Sequence, residues 1–253
     1  MKKAFTLIEL VFVMIVLAIL TFALWPTKQP TQALEAARQI VAHIRYTQHL
    51  ALNDDKFATH REGTGGSIAT DWYRRLWRIT FSNTIADENC KIGGWRYAVY
   101  QNISGDLSDI GQPNGANEAA MNPAQAGKVL SACYSGLSKN TSDELNLGQT
   151  YKIQNIDFGE FDTDTTDTTD SRIRGIIFDE LGRAYPNGNW TSPYDISRNF
   201  SQGGGSFGRI KLSAEDGSRA NILVFGETGY ACVENVDIGC QAPATPPATP
   251  PAT

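Results

Sequence analysis

Apolar residues follow three successive regimes along this chain. From Phe5 to Trp25 they are nearly continuous, FTLIELVFVMIVLAILTFALW, and Glu9 is the lone charge among 21 residues. A helix of that length rises about 31 Å, enough to cross the hydrocarbon core of a bilayer. Pro26 and Pro30 interrupt the pattern, because proline removes a helical hydrogen bond and clashes with the preceding turn, so a kink is expected at Pro26. Between residues 31 and 54 the spacing becomes that of an amphipathic helix. Leu34, Ala37, Ile40, Val41, Ile44, Ala51 and Leu52 recur on one side, with Glu35, Arg38, Arg45, Asn53 and Asp54 elsewhere.

Beyond residue 60 the period falls to two and Gly, Asn, Asp and Pro punctuate short runs, which predicts a β-rich head. In residues 71–81, Tyr73, Trp77, Ile79 and Phe81 share one strand face, while Arg74, Arg78 and Thr80 share the other. Trp95, Tyr97 and Val99 repeat the pattern in residues 95–101. Further strands are expected at 173–179, 207–214 and 219–225. The last two form a hairpin, and a three-residue loop with Gly217 in the left-handed region would pair Ile210 with Ile222. Residues 102–128, rich in Asn, Gly, Asp and Ala, read as a long loop or small insertion. The closing PATPP repeats of residues 243–251 exclude helix and central strand.

Composition adds limits. The 253 residues carry a formal charge of −5, so no bulk basic footprint for nucleic acid or anionic lipid exists. Four cysteines, Cys90, Cys133, Cys232 and Cys240, allow two disulfides in three connectivities. The short separation of Cys232 and Cys240 favours a local C-terminal loop, which leaves Cys90 for Cys133. An oxidising compartment is implied.

Glu9 is the anomaly of the first regime, since a carboxylate inside an apolar span costs on the order of 2–3 kcal/mol near its centre. No Lys or Arg stands between residues 4 and 27 to pair with it. A cut between Ala4 and Phe5 would place a new α-amino group one helical turn away, at the depth of the Glu9 of a staggered neighbour. Lys2 and Lys3 keep the amino terminus on the cytoplasmic side.

Ala4, followed by Phe5-Thr6-Leu7-Ile8-Glu9-Leu10-Val11 and an apolar run, resembles the leader junction of type IV prepilins and pseudopilins. The resemblance covers about 25 residues. It implies cutting by a membrane-bound prepilin peptidase, methylation of the Phe5 amino group and subunit assembly through Glu9. Ala4 departs from the family's usual Gly but is small enough to fit. The implied fold is α+β: a long N-terminal helix, transmembrane and then amphipathic, packed on an antiparallel β-sheet head. The expected organisation is a leader at 1–4, a transmembrane helix at 5–25, a stalk helix and linker at 26–60, a head at 61–240 and a disordered Pro/Ala/Thr-rich tail at 241–253. A second resemblance rests on Ile177-Phe178-Asp179-Glu180-Leu181-Gly182-Arg183 and Thr228-Gly229-Tyr230, which look like the carboxy-terminal sheet of minor pseudopilins of the GspH/FimT type. It implies a pair of packed antiparallel sheets. Residues 102–145 lie outside what it covers.

The implied partners are other pilin or pseudopilin subunits, the prepilin peptidase, an inner-membrane assembly platform and membrane lipid. The implied location is the bacterial inner membrane, single-pass, with the head in the periplasm and later in a filament or at the cell surface. The implied function is a minor pilin or pseudopilin of a type II secretion pseudopilus or type IV pilus. The alternatives are a FimT-like DNA-uptake subunit and an adhesin or ligand-binding head on a pilin stalk.

Catalytic chemistry is not expected. Gly204-Gly205-Ser206-Phe207-Gly208 matches a serine-nucleophile pattern but lacks the preceding buried strand and following helix. His43 and His49, six apart on a predicted helix, point to different faces and read as solvated positions. Asp162, Asp164, Asp167 and Asp170 form a weak calcium candidate without the spacing of an EF-hand loop, and a solvated acidic loop is the expected reading. No cofactor is expected. Arg74, Arg75 and Arg78 beside Trp72 and Trp77 would be the footprint of the DNA-uptake alternative, but a solvated strand face is the ordinary reading and nucleic acid is not an expected partner.

Overall fold

The computed structural model describes residues 7–23, 31–54, 75–84, 93–103, 113, 115–132, 140–158, 173–187 and 207–242. The chain divides into two compact units, Met1–Thr31 and Gln32–Thr253.

The first unit contains helix α1, Leu7–Ala23. Its large apolar side chains from Leu7 to Leu20 are exposed around the whole helix, from 39% at Val16 to 83% at Leu7. Among the described residues, no helix is long and apolar enough to cross a membrane. The expected kink at Pro26 lies outside the described residues.

The second unit is α+β. Helix α2 (Gln32–Leu52) is followed by β1 (Trp77–Thr84), β2 (Gly94–Gln101), a 3-10 turn at Asp143–Leu145, the short α3 (Leu147–Thr150), β3 (Ile153–Asp157), β4 (Ile173–Phe178), β5 (Ala184–Pro186), β6 (Phe207–Ala214), β7 (Arg219–Phe225) and β8 (Ala231–Val233). They make two four-stranded antiparallel sheets, ordered β2-β1-β4-β5 and β3-β6-β7-β8.

Helix α2 lies against strands of both sheets. Ala33, Ala36, Ala37, Ile40, Val41, Ile44, Thr47 and Ala51 form its buried face. The alanines let the helix approach closely, and each fully buried isoleucine contributes about 1.5–3 kcal/mol. From the strands, Ile79, Phe81, Tyr97, Val99, Ile176, Phe178, Ile210, Leu212, Ile222 and Val224 complete the core. Leu52, expected on the apolar stripe, is instead 53% exposed at the last turn.

The hairpin β6–β7 has the expected register, with Ile210 opposite Ile222. Ala214 N donates to Ser218 O, and Gly217 adopts a φ of 78° in the intervening three-residue loop.

One expectation about the sheets needs correction. The strand face carrying Arg78 and Thr80 is not solvated, for both residues are buried. The Arg78 guanidinium lies over the Tyr100 ring at 5.8 Å and reaches Leu76 O and Asn187 Oδ1. Of the two readings of the middle region, a long loop or a small insertion, its described residues fit the insertion, because they extend the sheet beyond β2. Tyr100 bridges Ala119, Ala98 bridges Ser131, and Val99 N donates to Leu130 O at 2.7 Å. An otherwise open sheet edge is thereby paired.

Candidate functional site

Among the described residues, the chemically distinctive ones fall in two places, the start of α1 and the polar contacts that hold α2 in the head. Glu9 occupies the first turn of α1 and is exposed. A carboxylate there complements the positive end of the helix dipole. Ala4 and Phe5 lie outside the described residues. The carboxylate thus stands in the first described turn of α1, the single charge in a run otherwise apolar but for Thr21.

In the head, the end of α2 locks two turns together. The Gln48 amide Nε2 donates to Gly182 O at 2.9 Å and to Thr228 O at 2.7 Å. Gly182 belongs to the β4–β5 turn and Thr228 to the β7–β8 turn, so one side chain ties both sheets to the helix. Ala184 N adds a backbone bond to Gly226 O. Asp179, 1% exposed, organises the first turn by accepting from Leu181 N, Arg183 N, Arg183 Nε and the Tyr185 hydroxyl. Burial, and then the Asp179 charge, push the Tyr185 phenol well above its ordinary range. On the second turn, Gly229 has a φ of 62°, and a Cβ there would stand 2.0 Å from Gly182 O. Arg45 covers the exit of this turn, donating twice to Ala231 O and lying over the Tyr230 ring at 5.1 Å. The two segments that carried the second resemblance thus meet at one structural joint, with no chemistry beyond holding it.

A second polar cluster lies nearer the middle of α2. His43 Nδ1 is 2.7 Å from the Tyr97 hydroxyl, and Gln39 Nε2 donates to the same hydroxyl at 2.8 Å. Gln39 Nε2 also donates to Glu144 O, and Tyr151 donates to Gln39 Oε1. His43 is thus not the solvated position expected, whereas His49 is exposed and meets Asn53. Burial lowers the affinity of His43 for a proton, with Glu144 pulling the other way.

The remaining sequence candidates separate. Cys232 and Cys240 form a disulfide, both buried, beside Leu223, Phe207 and Phe225. Cys90 and Cys133 lie outside the described residues, as do Asp162, Asp164, Asp167 and Asp170, Arg74, and the Pro-rich tail from residue 243. No group of three or more His, Cys, Asp or Glu side chains able to hold a metal occurs among the described residues. Sequence reasoning missed Gln39, Gln48, Tyr97 and Asp179 as organising residues. The Asp179–Gly182 and Thr228–Gly229 segments were visible as turn signals, but nothing in them reveals that they meet each other and Gln48.

Residues 1–25 match the family model described as the prokaryotic N-terminal methylation motif. The chain matches no curated protein and no solved structure. The motif supports a type IV pilin-like class and implies a prepilin peptidase substrate that assembles with other pilin subunits. It covers the leader junction and the α1 segment, and in it Glu9 is the single acid.

Proposed function

We propose that this chain is a minor pilin or pseudopilin of the GspH/FimT type, a subunit of a type II secretion pseudopilus or a type IV pilus that works by assembly and catalyses no reaction. The observation that carries this reading is the methylation motif at residues 1–25 together with Glu9, a lone carboxylate in a helix that exposes apolar side chains all round. Such a surface is stable only in lipid or against other apolar helices. Cleavage after Ala4 frees the Phe5 amino group, which pairs with Glu9 of a neighbouring subunit and sets the register between them. The apolar segment anchors the precursor in the inner membrane, with the head in the periplasm and an assembly platform as partner. The GspH/FimT assignment is supported by two antiparallel sheets around α2 and by the joint between the Asp179–Gly182 and Thr228–Gly229 turns. No cofactor takes part in this role.

Intact mass and amino-terminal peptides of the protein from its native membrane test the proposal. A chain beginning at N-methylated Phe5 is expected. A retained Met1, or a start near residue 25, would overturn it. The burial of Arg78 counts against the DNA-uptake alternative, because that arginine does not face a phosphate backbone. The adhesin-like alternative draws on the polypeptide that residues 115–132 add along β2, and saturable binding of a glycan surface by the protein would favour it.

A further inference from the structure

The polar cluster on α2 has a hydrogen-bond logic that fixes where protons lie. Gln39 uses both amide hydrogens, one toward Tyr97 Oη at 2.8 Å and one toward Glu144 O at 2.9 Å, while its Oε1 accepts from Tyr151. A flipped amide would set two acceptors against each other at Glu144 O, so the orientation is determined. Tyr97 Oη therefore accepts from Gln39. Its single hydrogen is left for His43 Nδ1, 2.7 Å away, and no further partner of this hydroxyl is found among the described residues. His43 is consequently the acceptor, a neutral imidazole with its proton on Nε2.

We propose that this cluster is a proton-sensitive joint between α2 and residues 143–151, closed when His43 is neutral and loosened when Nδ1 takes a proton. The protonated ring has only donors. Nδ1–H and the Gln39 amide would then both point at Tyr97 Oη, and the phenol hydrogen of a residue 2% exposed would lose its acceptor. Tyr97 would have to turn, and Gln39, which holds Glu144 O and Tyr151, would lose one of its three anchors.

The groups facing the imidazole come from each element packed on it. Tyr97 is on β2, its ring 5.7 Å from that of His43. Gln39 is one turn earlier on α2, with Glu35 a further turn back and close enough to raise the Tyr151 pKa, an effect second to burial. Glu144 stands on the 3-10 turn, where its carboxylate accepts from Asn122 and Gln125. The Glu144 charge favours the imidazolium, but burial opposes it more strongly, and His43 binds its proton less readily than a free histidine. Among the described residues of this cluster, His43 is the group whose ordinary titration falls between neutral pH and mild acid. This inference rests on the geometry of the head alone and is independent of the proposed filament role.

Hydrogen exchange of the full-length protein in detergent micelles tests it. The readouts are the amides of Asn146, Thr150 and Tyr151, which donate to Asp143 O, Asn146 O and Leu147 O. Corrected for intrinsic exchange, their protection should fall about tenfold between about pH 7.5 and about pH 5.5, while amides of the β6–β7 hairpin change little. His43→Asn, whose Oδ1 can accept from Tyr97 at any pH, should abolish the fall. Equal falls in wild type and variant, or none in wild type, would overturn the joint. Should the variant fail to fold, an NMR titration of His43 in the wild-type chain decides: a midpoint at or above the ordinary histidine value would also overturn it.

Discussion

Replacing Gly229 by Ala sets a methyl group 2.0 Å from Gly182 O and 2.4 Å from Gln48 Nε2. Ordinary contact needs well over 3 Å, so the β4–β5 and β7–β8 turns must separate. Separation breaks the Gln48 bonds to Gly182 O and Thr228 O, about 1 kcal/mol each. The left-handed φ of 62° adds about 1–2 kcal/mol for any L side chain. The sum is about 3–4 kcal/mol, a large share of the roughly 5–15 kcal/mol that stabilises a domain. Gly217 supplies the control. Its φ of 78° is similar, but a Cβ there meets nothing within 4 Å, so Gly217→Ala should cost only the backbone term of about 1–2 kcal/mol. Any gain from a stiffer unfolded chain is common to both variants and cancels in the comparison. Urea unfolding of both full-length variants in detergent should show Gly229→Ala less stable than Gly217→Ala by about 2 kcal/mol, or about 4–8 °C in Tm. Equal losses would refute the claim that the two turns meet at this glycine.

Three further outcomes are expected. Replacing both Cys232 and Cys240 by Ser reopens a loop with a sequence separation of 8, and should cost about 2.5 kcal/mol by the loop-entropy relation, read as a lowered urea midpoint matched by the wild type under reductant. Because His43 binds its proton more weakly folded than unfolded, stability should be complete above the ordinary value of 6.5 and decline as pH falls through it, with a slope of at most about 1.4 kcal/mol per pH unit. Subtracting the pH series of His43→Asn isolates that contribution from the carboxylates, and a flat difference would contradict it. Glu9→Gln should abolish or greatly slow incorporation into filaments while the urea midpoint of the head stays unchanged, and normal incorporation would remove Glu9 from the docking role.

The legible parts of this fold are those in which a local pattern has one physical solution. The β6–β7 register could be derived because only a three-residue loop with Gly217 in the left-handed region puts Ile210 opposite Ile222 on the buried face. The α2 stripe was legible from its period, although Leu52 was misassigned, because periodicity cannot say where the covering sheets end. Arg78 was misread for a different reason. Strand alternation identifies two faces, and charge normally marks the solvated one, but an arginine can be buried when its guanidinium lies over a ring such as Tyr100 and meets backbone and amide acceptors. Leu76 O is two residues away, but Tyr100 on β2 and Asn187 beyond β5 are distant in sequence, so no local signal announces them.

The same reasoning separates the two candidate sites. The amino-terminal one is encoded locally: a small residue, an aromatic, an acid four positions later and an apolar run can be recognised without any fold, and the family match covers the same residues. The head cluster is encoded across more than fifty residues. His43, Gln39, Tyr97, Glu144 and Tyr151 are individually unremarkable, and they gain chemical meaning only when α2 is laid against β2 and the 143–151 segment. One consequence distinguishes the sites experimentally. Tyr97→Phe removes the hydroxyl that His43 and Gln39 share, so the head should lose its pH-dependent protection at residues 146–151 while cleavage after Ala4 and methylation of Phe5 proceed unchanged. Loss of both together would mean that the head and the amino-terminal segment are not the separable modules that their sequence encoding implies.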